Sequence, residues 1–437
     1  MASPQTNPLL ASIDQGVALD DPHVAVYFAQ DGERVDFATE QGGWSPYARA
    51  QAMAALETWA ALSGLSFEEV FDPAEADFRL VKSDAGGASL GFMNGPDPAY
   101  GDAQGVGWFN SGPYWSGAKG GMLSPGAYMF TIFLHEFGHG LGLAHPHDAG
   151  GSTVMPQVGE GLGLDQGVYT VMTYNDGWPE APEGLPESRE WGWNLGPSAL
   201  DIAVVQAKYG ANLETGAGTD RYRLPSKNEA GTGYLTIWDA GGDDDLIFHK
   251  GRRDAVIDLR AATLEPEEGG AGWVSRAQGV HGGFTLAHGV EIERALGGRG
   301  DDRLTGNAVD NVLNGKTGAD RLVGGEGDDL LLGGKGADRL FGGQGDDRLK
   351  AGPGRDRLTG GEGADLFAIR PGDGRAVILD FGAGDRLDLR GFGYADFDAL
   401  EADLIDRGGR TVLKAAGATL ALKDLSPEEI VEEMLLL

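Results

Sequence analysis

A nine-residue repeat in the second half of the chain constrains the fold more than any other feature. Eight consecutive copies run from Gly297 to Ala368 and fit the pattern G-G-x-G-x-D-x-U-x, in which U is apolar. The glycine-rich half of each copy forms a turn, and the residues after it form a short strand with one apolar side chain facing inward. Two copies complete one coil, so residues 18 apart stack. The repeat therefore predicts an all-β, parallel β-roll, with a glycine- and aspartate-rich disordered linker as the alternative that the constant phase of the apolar position disfavours.

The sixth position of the repeat is Asp in seven copies and Asn in the other. Stacking brings these side chains together in six gaps, and oxygen ligands suit Ca²⁺, which takes roughly 6 to 8 of them, better than zinc. Stacked carboxylates repel one another without cations, so we expect the roll to be largely unfolded without calcium. The weakest copy contains Asn311. The candidate calcium ligands are Asp302, Asp320, Asp329, Asp338, Asp347, Asp356 and Asp365.

The first half of the chain carries the motif H-E-x-x-H-x-x-G-x-x-H, beginning at His135. On a helix, His135 and His139 share one face, and Gly142 permits the chain reversal that brings back His145 as a third ligand. Three histidines leave one position open on a Zn²⁺ ion, and a water bound there has its pKa lowered to about 7. Glu136 is placed to act as its general base. The motif predicts one catalytic zinc ion and a hydrolytic reaction.

These residues resemble a known family. The segment HEFGHGLGLAHP, followed by VMTY at 171–174, resembles the metzincin proteases and, among them, the serralysins. The resemblance implies a metzincin fold of the α+β class, a structural Met-turn at Met172 beneath the zinc, and a Tyr174 that is both a zinc ligand and a catalytic group for the oxyanion. The sequence departs from the family at Phe137 and in the glycine-rich stretch between His145 and Met172, which bears on specificity.

Other segments extend the resemblance over nearly the whole chain. The stretch DIAVVQAKYGAN at 201–212 is similar to the helix that closes the serralysin catalytic domain. WDAGGDDDLIF at 238–248 resembles the start of the family's calcium-binding roll, which implies Asp243 and Asp244 as further calcium ligands. LDFGAGDRLDLR at 379–390 resembles its exit.

Local patterns predict a few elements and the domain boundaries. We expect a strand at VAVYF from Val24, a helix capped by Ser45 and running to about Ser63, and helices at about 128–141 and 198–209. The first 22 residues are polar and punctuated by proline, which favours a loose leader, either a prosegment or a disordered tail. The predicted division is a leader at 1–22, a zinc metalloprotease domain at 23–212, a calcium-binding roll at 213–390 with its core at 297–368, and a C-terminal β and export-signal region at 391–437.

Composition restricts partners and location. The net charge of −33 argues against nucleic acid and anionic membranes as partners, and the lack of Cys leaves only nitrogen and oxygen ligands for metals. The first 33 residues hold no Lys or Arg, and no stretch is apolar enough to span a membrane, so neither a cleaved signal peptide nor a membrane span is predicted. The acidic-then-apolar end, EEMLLL, resembles the uncleaved C-terminal signal of proteins exported in one step by type I export machinery. The alternative is an amphipathic terminal helix that only packs.

The sequence therefore predicts a secreted, extracellular, monomeric zinc metalloendopeptidase, stabilised by several Ca²⁺ ions, that cleaves protein or peptide substrates. Two alternatives stay open. One is a calcium-dependent adhesion or matrix protein with a non-catalytic zinc site, which the intact Glu136 disfavours. The other is a metzincin that processes one dedicated partner.

Overall fold

A computed structural model describes residues 6–84, 89–115, 119–147, 162–242, 245–247 and 251–437. In this part of the chain helices are few and strands are many, as the glycine-rich second half predicts. The α-helices are α1 (Pro8–Ala11), α2 (Pro46–Ala60), α3 (Tyr128–Gly140), α4 (Ala199–Tyr209) and α5 (Phe397–Glu401). Short 3₁₀ turns lie at Pro73–Glu75, Pro98–Ala103, Pro113–Trp115, Pro427–Glu429 and Glu432–Met434.

The first half is built on one mixed sheet. Its strand order is β4-β1-β5-β7-β6, in which only the edge strand β6 runs antiparallel to its neighbour. Helices α2 and α3 pack against each other over the sheet, around fully buried aromatic rings such as Trp59, Phe109 and Phe133. The strands are β1 (His23–Phe28), β2 (Arg34–Val35), β3 (Ala38–Thr39), β4 (Ser66–Val70), β5 (Phe78–Ser83), β6 (Gly91–Met93) and β7 (Val106–Asn110).

The predicted helix ends are confirmed to within a turn. The Ser45 side chain accepts from the Ala48 N–H ahead of a proline at the first helical position, which caps α2 as expected. This helix ends at Ala60, earlier than Ser63, because the chain tightens into i→i−3 hydrogen bonds there. Helix α4 begins with a reciprocal capping box between Ser198 and Asp201.

The second half coils between two sheets, one 13-stranded and one 9-stranded over the described residues. Odd copies of the repeat supply strands to the first sheet and even copies to the second, in parallel register at the predicted spacing of 18, as in Leu304 opposite Leu322 and Leu313 opposite Leu331. The inward apolar residues of all eight copies, Leu304 through Phe367, are fully buried. This confirms the roll.

The strands of this half are β8 (Trp193–Asn194), β9 (Arg221–Arg223), β10 (Gly233–Ile237), β11 (Asp245–Ile247), β12 (Ala255–Asp258), β13 (Ser275–Ala277), β14 (Gly283–Leu286), β15 (Arg294–Leu296), β16 (Arg303–Thr305), β17 (Val312–Thr317), β18 (Arg321–Glu326), β19 (Leu330–Lys335), β20 (Arg339–Gln344), β21 (Arg348–Lys350), β22 (Gly354–Glu362), β23 (Leu366–Ala368), β24 (Gly374–Ile378), β25 (Arg386–Asp388), β26 (Leu404–Asp406), β27 (Arg410–Ala415), β28 (Ala418–Lys423) and β29 (Leu435–Leu436).

The C-terminus belongs to the roll. Strand β28 adds to β24 in the larger sheet, and β29 adds to β25 in the smaller one, with Leu435 buried. The last residues are therefore a strand, and the terminal helix that we held as the alternative to an export signal is wrong.

The N-terminal segment is not loose, and that expectation is wrong for the described residues. Leu9, Leu10 and Ile13 are buried in the core of the first half, and the Asn7 side chain donates to the Leu264 carbonyl in the second half. The short helix α1 buries Leu9, Leu10 and Ala11 together, which the low overall hydrophobicity of the segment conceals.

Packing also crosses the boundary expected at residue 213. Strand β8 joins the roll through β10, Leu62 and Ile202 belong to the apolar core of the roll, and Leu264 belongs to that of the first half. Among the described residues, no helix is both long and apolar enough to cross a membrane.

Candidate metal centre

Three histidines converge at the C-terminal end of α3. The Nε2 atom of His145 lies 3.1 Å from that of His135 and 3.0 Å from that of His139. Two nitrogens that bind one zinc ion at tetrahedral angles are about 3.3 Å apart, because each Zn–N bond is about 2.0 to 2.1 Å long. Gly142 has the positive φ of 85° that the chain reversal requires. The spacing of the three side chains fits one tetrahedral ion.

The other ring nitrogens of the helix histidines are held by carbonyls. Nδ1 of His135 donates to the Val171 carbonyl at 2.7 Å, and Nδ1 of His139 donates to the Leu143 carbonyl at 2.9 Å. These bonds leave each Nε2 with its lone pair toward the centre. Burial, together with the neighbouring histidines, lowers the pKa of His135 well below its usual value, which favours the neutral ring that a metal needs.

The carbonyl of Val171 is fixed by a buried carboxylate. Asp201, at the start of α4, accepts the Val171 N–H at 2.8 Å, the Thr170 hydroxyl at 2.6 Å and the Ser198 N–H at 2.8 Å. Burial raises the pKa of Asp201 to about 7, and the three hydrogen bonds oppose the rise. The turn that orients His135 is thus anchored from a helix 30 residues further along the chain.

Met172 lies directly beneath the histidine helix. Its side chain is fully buried, and a Cβ at Gly138 would collide with its sulfur. Only glycine allows the helix to rest this closely on the turn. The geometry accords with the Met-turn role that the resemblance implies for Met172.

Glu136 presents a carboxylate to the same cleft. The side chain is buried, and its Oε2 atom is one of the buried polar atoms that have no hydrogen-bond partner among the described residues. Burial raises its pKa to about 8. A divalent cation beside it would lower the pKa again, because an opposite charge favours the ionised form. An orphaned carboxylate oxygen beside three convergent imidazoles fits a metal-bound water.

Tyr174 and His147 lie at the outer edge of the centre. The Tyr174 ring centroid is 4.5 Å from that of His145 and 5.8 Å from that of His135, while the side chain is 67% exposed. His147 stacks on His145 with centroids 5.1 Å apart and also lies against Tyr174. Tyr174 and His147 therefore both pack against His145 at the edge of the cleft.

A cavity of about 320 Å³ opens over these residues. One wall is the edge strand β6, where Gly91 lies so close to Glu136 that an added Cβ would be 3.1 Å from the carboxylate oxygen. Other residues in the lining are Tyr128, Ile132, Thr173 and Asp176. The centre thus lies in an open cleft bounded by β6, the edge strand of the sheet over the described residues.

The repeat forms a second set of candidate metal ligands. All seven aspartates and Asn311 are buried in two stacked rows. In the six row members that follow Asp302 and Asn311, one carboxylate oxygen accepts the backbone N–H of the residue 18 positions earlier, as Asp338 does from Asp320 at 2.9 Å and Asp347 from Asp329 at 2.9 Å. A glycine at the start of a copy makes room for the other oxygen, since a Cβ at Gly333 would lie 2.7 Å from Asp338 Oδ2.

Those other oxygens are orphaned. Six buried Oδ2 atoms have no hydrogen-bond partner among the described residues, and they belong to Asp320, Asp329, Asp338, Asp347, Asp356 and Asp365. Burial raises the pKa of these carboxyls, to about 7 for Asp320, Asp329, Asp347 and Asp356, and the neighbouring carboxylates add to it in each of those four. Unsatisfied buried oxygens in a regular row fit a hard cation such as Ca²⁺.

Comparisons with known proteins point to one family of proteases. Residues 200–398 match the family described as peptidase M10 serralysin C terminal. Over these residues the chain is similar to the serralysins. It is 31% identical over 291 residues to a serralysin of Proteus mirabilis, which covers 60% of this chain and 54% of that protein, and 29% identical over 280 residues to the metallopeptidase AprA of Pseudomonas marginalis, which covers 61% and 55%.

The chain thus spans about half the length of these relatives. Among solved structures, the extracellular lipase LipA of Serratia marcescens matches 34% of this chain and 40% of its own at 15% identity, with a TM-score of 0.21 that is too low to bear on the fold.

The sequence patterns do not reveal some residues of these sites, and they predict two that the structure does not describe. Asp243 and Asp244 fall outside the described residues. The sequence predicts Asp201 only as part of a helix, although its position three residues after Ser198 is typical of a capping box. Asp385 continues the row beyond the repeat by accepting the Asp365 N–H at 3.0 Å, and its spacing of 20 rather than 18 hid it.

Proposed function

We propose that this chain is a secreted, zinc-dependent and calcium-stabilised metalloendopeptidase with a metzincin catalytic domain, which hydrolyses peptide bonds in extracellular proteins. One observation carries the proposal: three Nε2 atoms converge beside the orphaned Glu136 oxygen in one open cleft. A structural zinc site would have no need for a buried carboxylate beside it.

The residues divide the chemistry among them. Zinc held by His135, His139 and His145 would supply a Lewis acid that acidifies a water and polarises the scissile carbonyl. Glu136 takes the proton of the attacking water on Oε2 and passes it to the leaving amine nitrogen. Tyr174, which also stands as a candidate ligand, offers its hydroxyl to the oxyanion.

The cleft favours an extended peptide as substrate. Strand β6 is the edge of its sheet and borders the cavity, so its outer backbone groups can pair with a substrate strand. Pairing of this kind fixes a peptide bond by its backbone and accepts many side chains, which is what an endopeptidase acting on unrelated proteins requires.

The same proposal assigns the aspartate rows to several structural calcium ions. Extracellular calcium would complete the fold after export, and the low calcium of the cytosol would keep the chain open for passage through type I export machinery. The C-terminal residues that form β29 then serve twice, as an export signal before folding and as a strand afterwards. In this state we expect a monomer.

Casein hydrolysis by the wild type, by Glu136→Gln and by Glu75→Gln, a glutamate on the surface, tests the proposal. With calcium present, loss of the general base should lower the rate by roughly 10²-fold to 10⁴-fold, while zinc remains near one per chain and the surface variant stays fully active. A wild type that binds zinc and calcium but cleaves neither casein nor a peptide library would overturn the proposal and favour the adhesion or matrix protein.

A further inference from the structure

The N-terminal strap, residues 7–19, lies against the chain reversal that carries the third histidine. The Ala144 N–H donates to the Ile13 carbonyl at 2.9 Å, and the Gln15 N–H donates to the Gly142 carbonyl at 3.0 Å, on either side of a bridge between Asp14 and Leu143. The strap thus pairs, strand to strand, with the segment that leads into His145.

The Gln15 side chain contacts a carbonyl that also binds one of the histidines. Its amide Nε2 donates to the Leu143 carbonyl at 2.7 Å. The same carbonyl accepts the Nδ1–H of His139 at 2.9 Å. One oxygen therefore takes two donors, and the amide fixes the direction in which that oxygen meets the histidine ring. Groups that orient a ligating histidine in this way act on metal affinity.

A buried ion pair holds the strap in place. Lys208 Nζ lies 2.5 Å from Asp14 Oδ1, with both side chains 7% exposed, and also donates to the Val17 carbonyl at 2.6 Å. The next residue, Tyr209, accepts the Leu19 N–H and donates its hydroxyl to the Leu141 carbonyl, each at 3.0 Å. Helix α4 thus clamps the strap and the chain reversal together.

The strap does not reach the cleft. The described residues that line the cavity over the histidines begin at Ser89, and none belongs to the strap. The strap approaches the reversal from the opposite side, where its Val17 carbonyl leaves no room for a side chain at Gly142. A segment in this position cannot inhibit by occupying the substrate site.

We infer that the strap is a positioning element of the metal centre rather than a removable leader, and that Gln15, Asp14 and Lys208 set the geometry of His139 and His145. The inference rests on the proposed zinc site. It follows that a maturation cut compatible with zinc binding falls before Asn7, and that a cut after Leu19 loosens the zinc.

Zinc affinity tests this inference in the full-length, calcium-loaded protein, by competition with a chromophoric chelator. Gln15→Ala and Lys208→Met should each weaken zinc binding by roughly 10-fold or more. The matched control is Gln30→Ala, at a position far from the histidines along the chain. This change removes a similar hydrogen bond, which the side-chain amide of Gln30 donates from Nε2 to the Phe28 carbonyl. Its zinc affinity should equal that of the wild type.

The possible outcomes distinguish a failure of the inference from a failure of the proposed function. Equal zinc affinity in all variants, with only a lower melting temperature for Gln15→Ala and Lys208→Met, would show that the strap is merely structural and overturn the inference. A wild type that binds no zinc would instead overturn the proposed function. If Lys208→Met does not fold, Gln15→Ala decides alone, because its side chain is partly buried and its loss leaves the ion pair intact.

Discussion

The two halves of this molecule hold their candidate metal ligands in opposite ways. In the first half the ligands are fixed by the protein, since His135 and His139 each donate to a carbonyl and Asp201 fixes one of those carbonyls in turn. In the roll, the protein holds the candidate ligands only in part. In six of the seven aspartates one oxygen accepts a backbone N–H, and the other is buried with no hydrogen-bond partner among the described residues.

The difference predicts different roles for the two metals. A centre whose ligands are already oriented adds chemistry to a fold that stands without the ion. A row of buried, mutually repelling carboxylates has no compensation except the cation, so binding and folding become one event. Zinc should therefore be dispensable for the structure, and calcium should not.

Removal of each metal in turn gives the largest expected effect. Calcium removal by EGTA should abolish most of the β signal in far-UV circular dichroism, because the orphaned oxygens lose their partner. Zinc removal by 1,10-phenanthroline, with calcium present, should leave that signal unchanged. A β signal that persists in EGTA would contradict the prediction that calcium is needed for the fold of the roll.

Asp201→Ala tests how firmly the protein itself holds the zinc ligands. The change leaves the Val171 and Ser198 N–H groups and the Thr170 hydroxyl without their buried acceptor, at about 1 to 3 kcal/mol for each group. We expect the free energy of unfolding of the first half, measured with urea in calcium, to fall by about 3 kcal/mol or more. Asp97→Ala, which removes a surface cap, should lower it by only about 1 kcal/mol. Equal losses in the two variants would argue against a special anchor.

Asp338→Ala tests whether calcium binds between the stacked aspartates of the roll. Asp338 lies between Asp320 and Asp356 in its row, so its carboxylate faces two gaps. Elemental analysis should show about two calcium ions fewer than in the wild type. The control is Asp328→Ala, an exposed aspartate one position earlier in the neighbouring copy, which should lose none. Loss of the same number in both variants would mean that the ions bind elsewhere.

Protonation of the buried aspartates at low pH should partly substitute for calcium in stabilising the roll. This is the smallest effect that we expect. Burial raises the pKa of Asp320, Asp329 and Asp347 to about 7 in the fold, against about 3.9 in an unfolded chain. Protonation then stabilises the folded roll fully below pH 4, and this contribution is lost as the pH rises toward 7. For protein freed of calcium by dialysis, the β signal should increase as the pH falls from 8 to 5. A signal that stays flat or declines would contradict the raised pKa values.

Local patterns in the sequence were enough for much of the fold and the site. A constant nine-residue period places an inward apolar residue at the eighth position of each copy, whatever surrounds it, and all of these residues are buried as expected. The motif from His135 to His145 works in the same way, because helical spacing and one glycine dictate where three imidazoles point. The caps at Ser45 and Ser198 depend only on neighbouring residues.

Only the tertiary structure could decide which distant segments complete these patterns. Gln15 meets Leu143 across 128 positions, Lys208 meets Val17 across 191, and Asn7 meets Leu264 across 257. Each is a single polar contact, which leaves no period or spacing in the sequence. The first 22 residues therefore suggest a leader, because their polar side chains and prolines are evident in the sequence and the partners of the strap are not. Repeats and helical motifs encode their own geometry, whereas a contact between two unrelated segments exists only once the chain has folded.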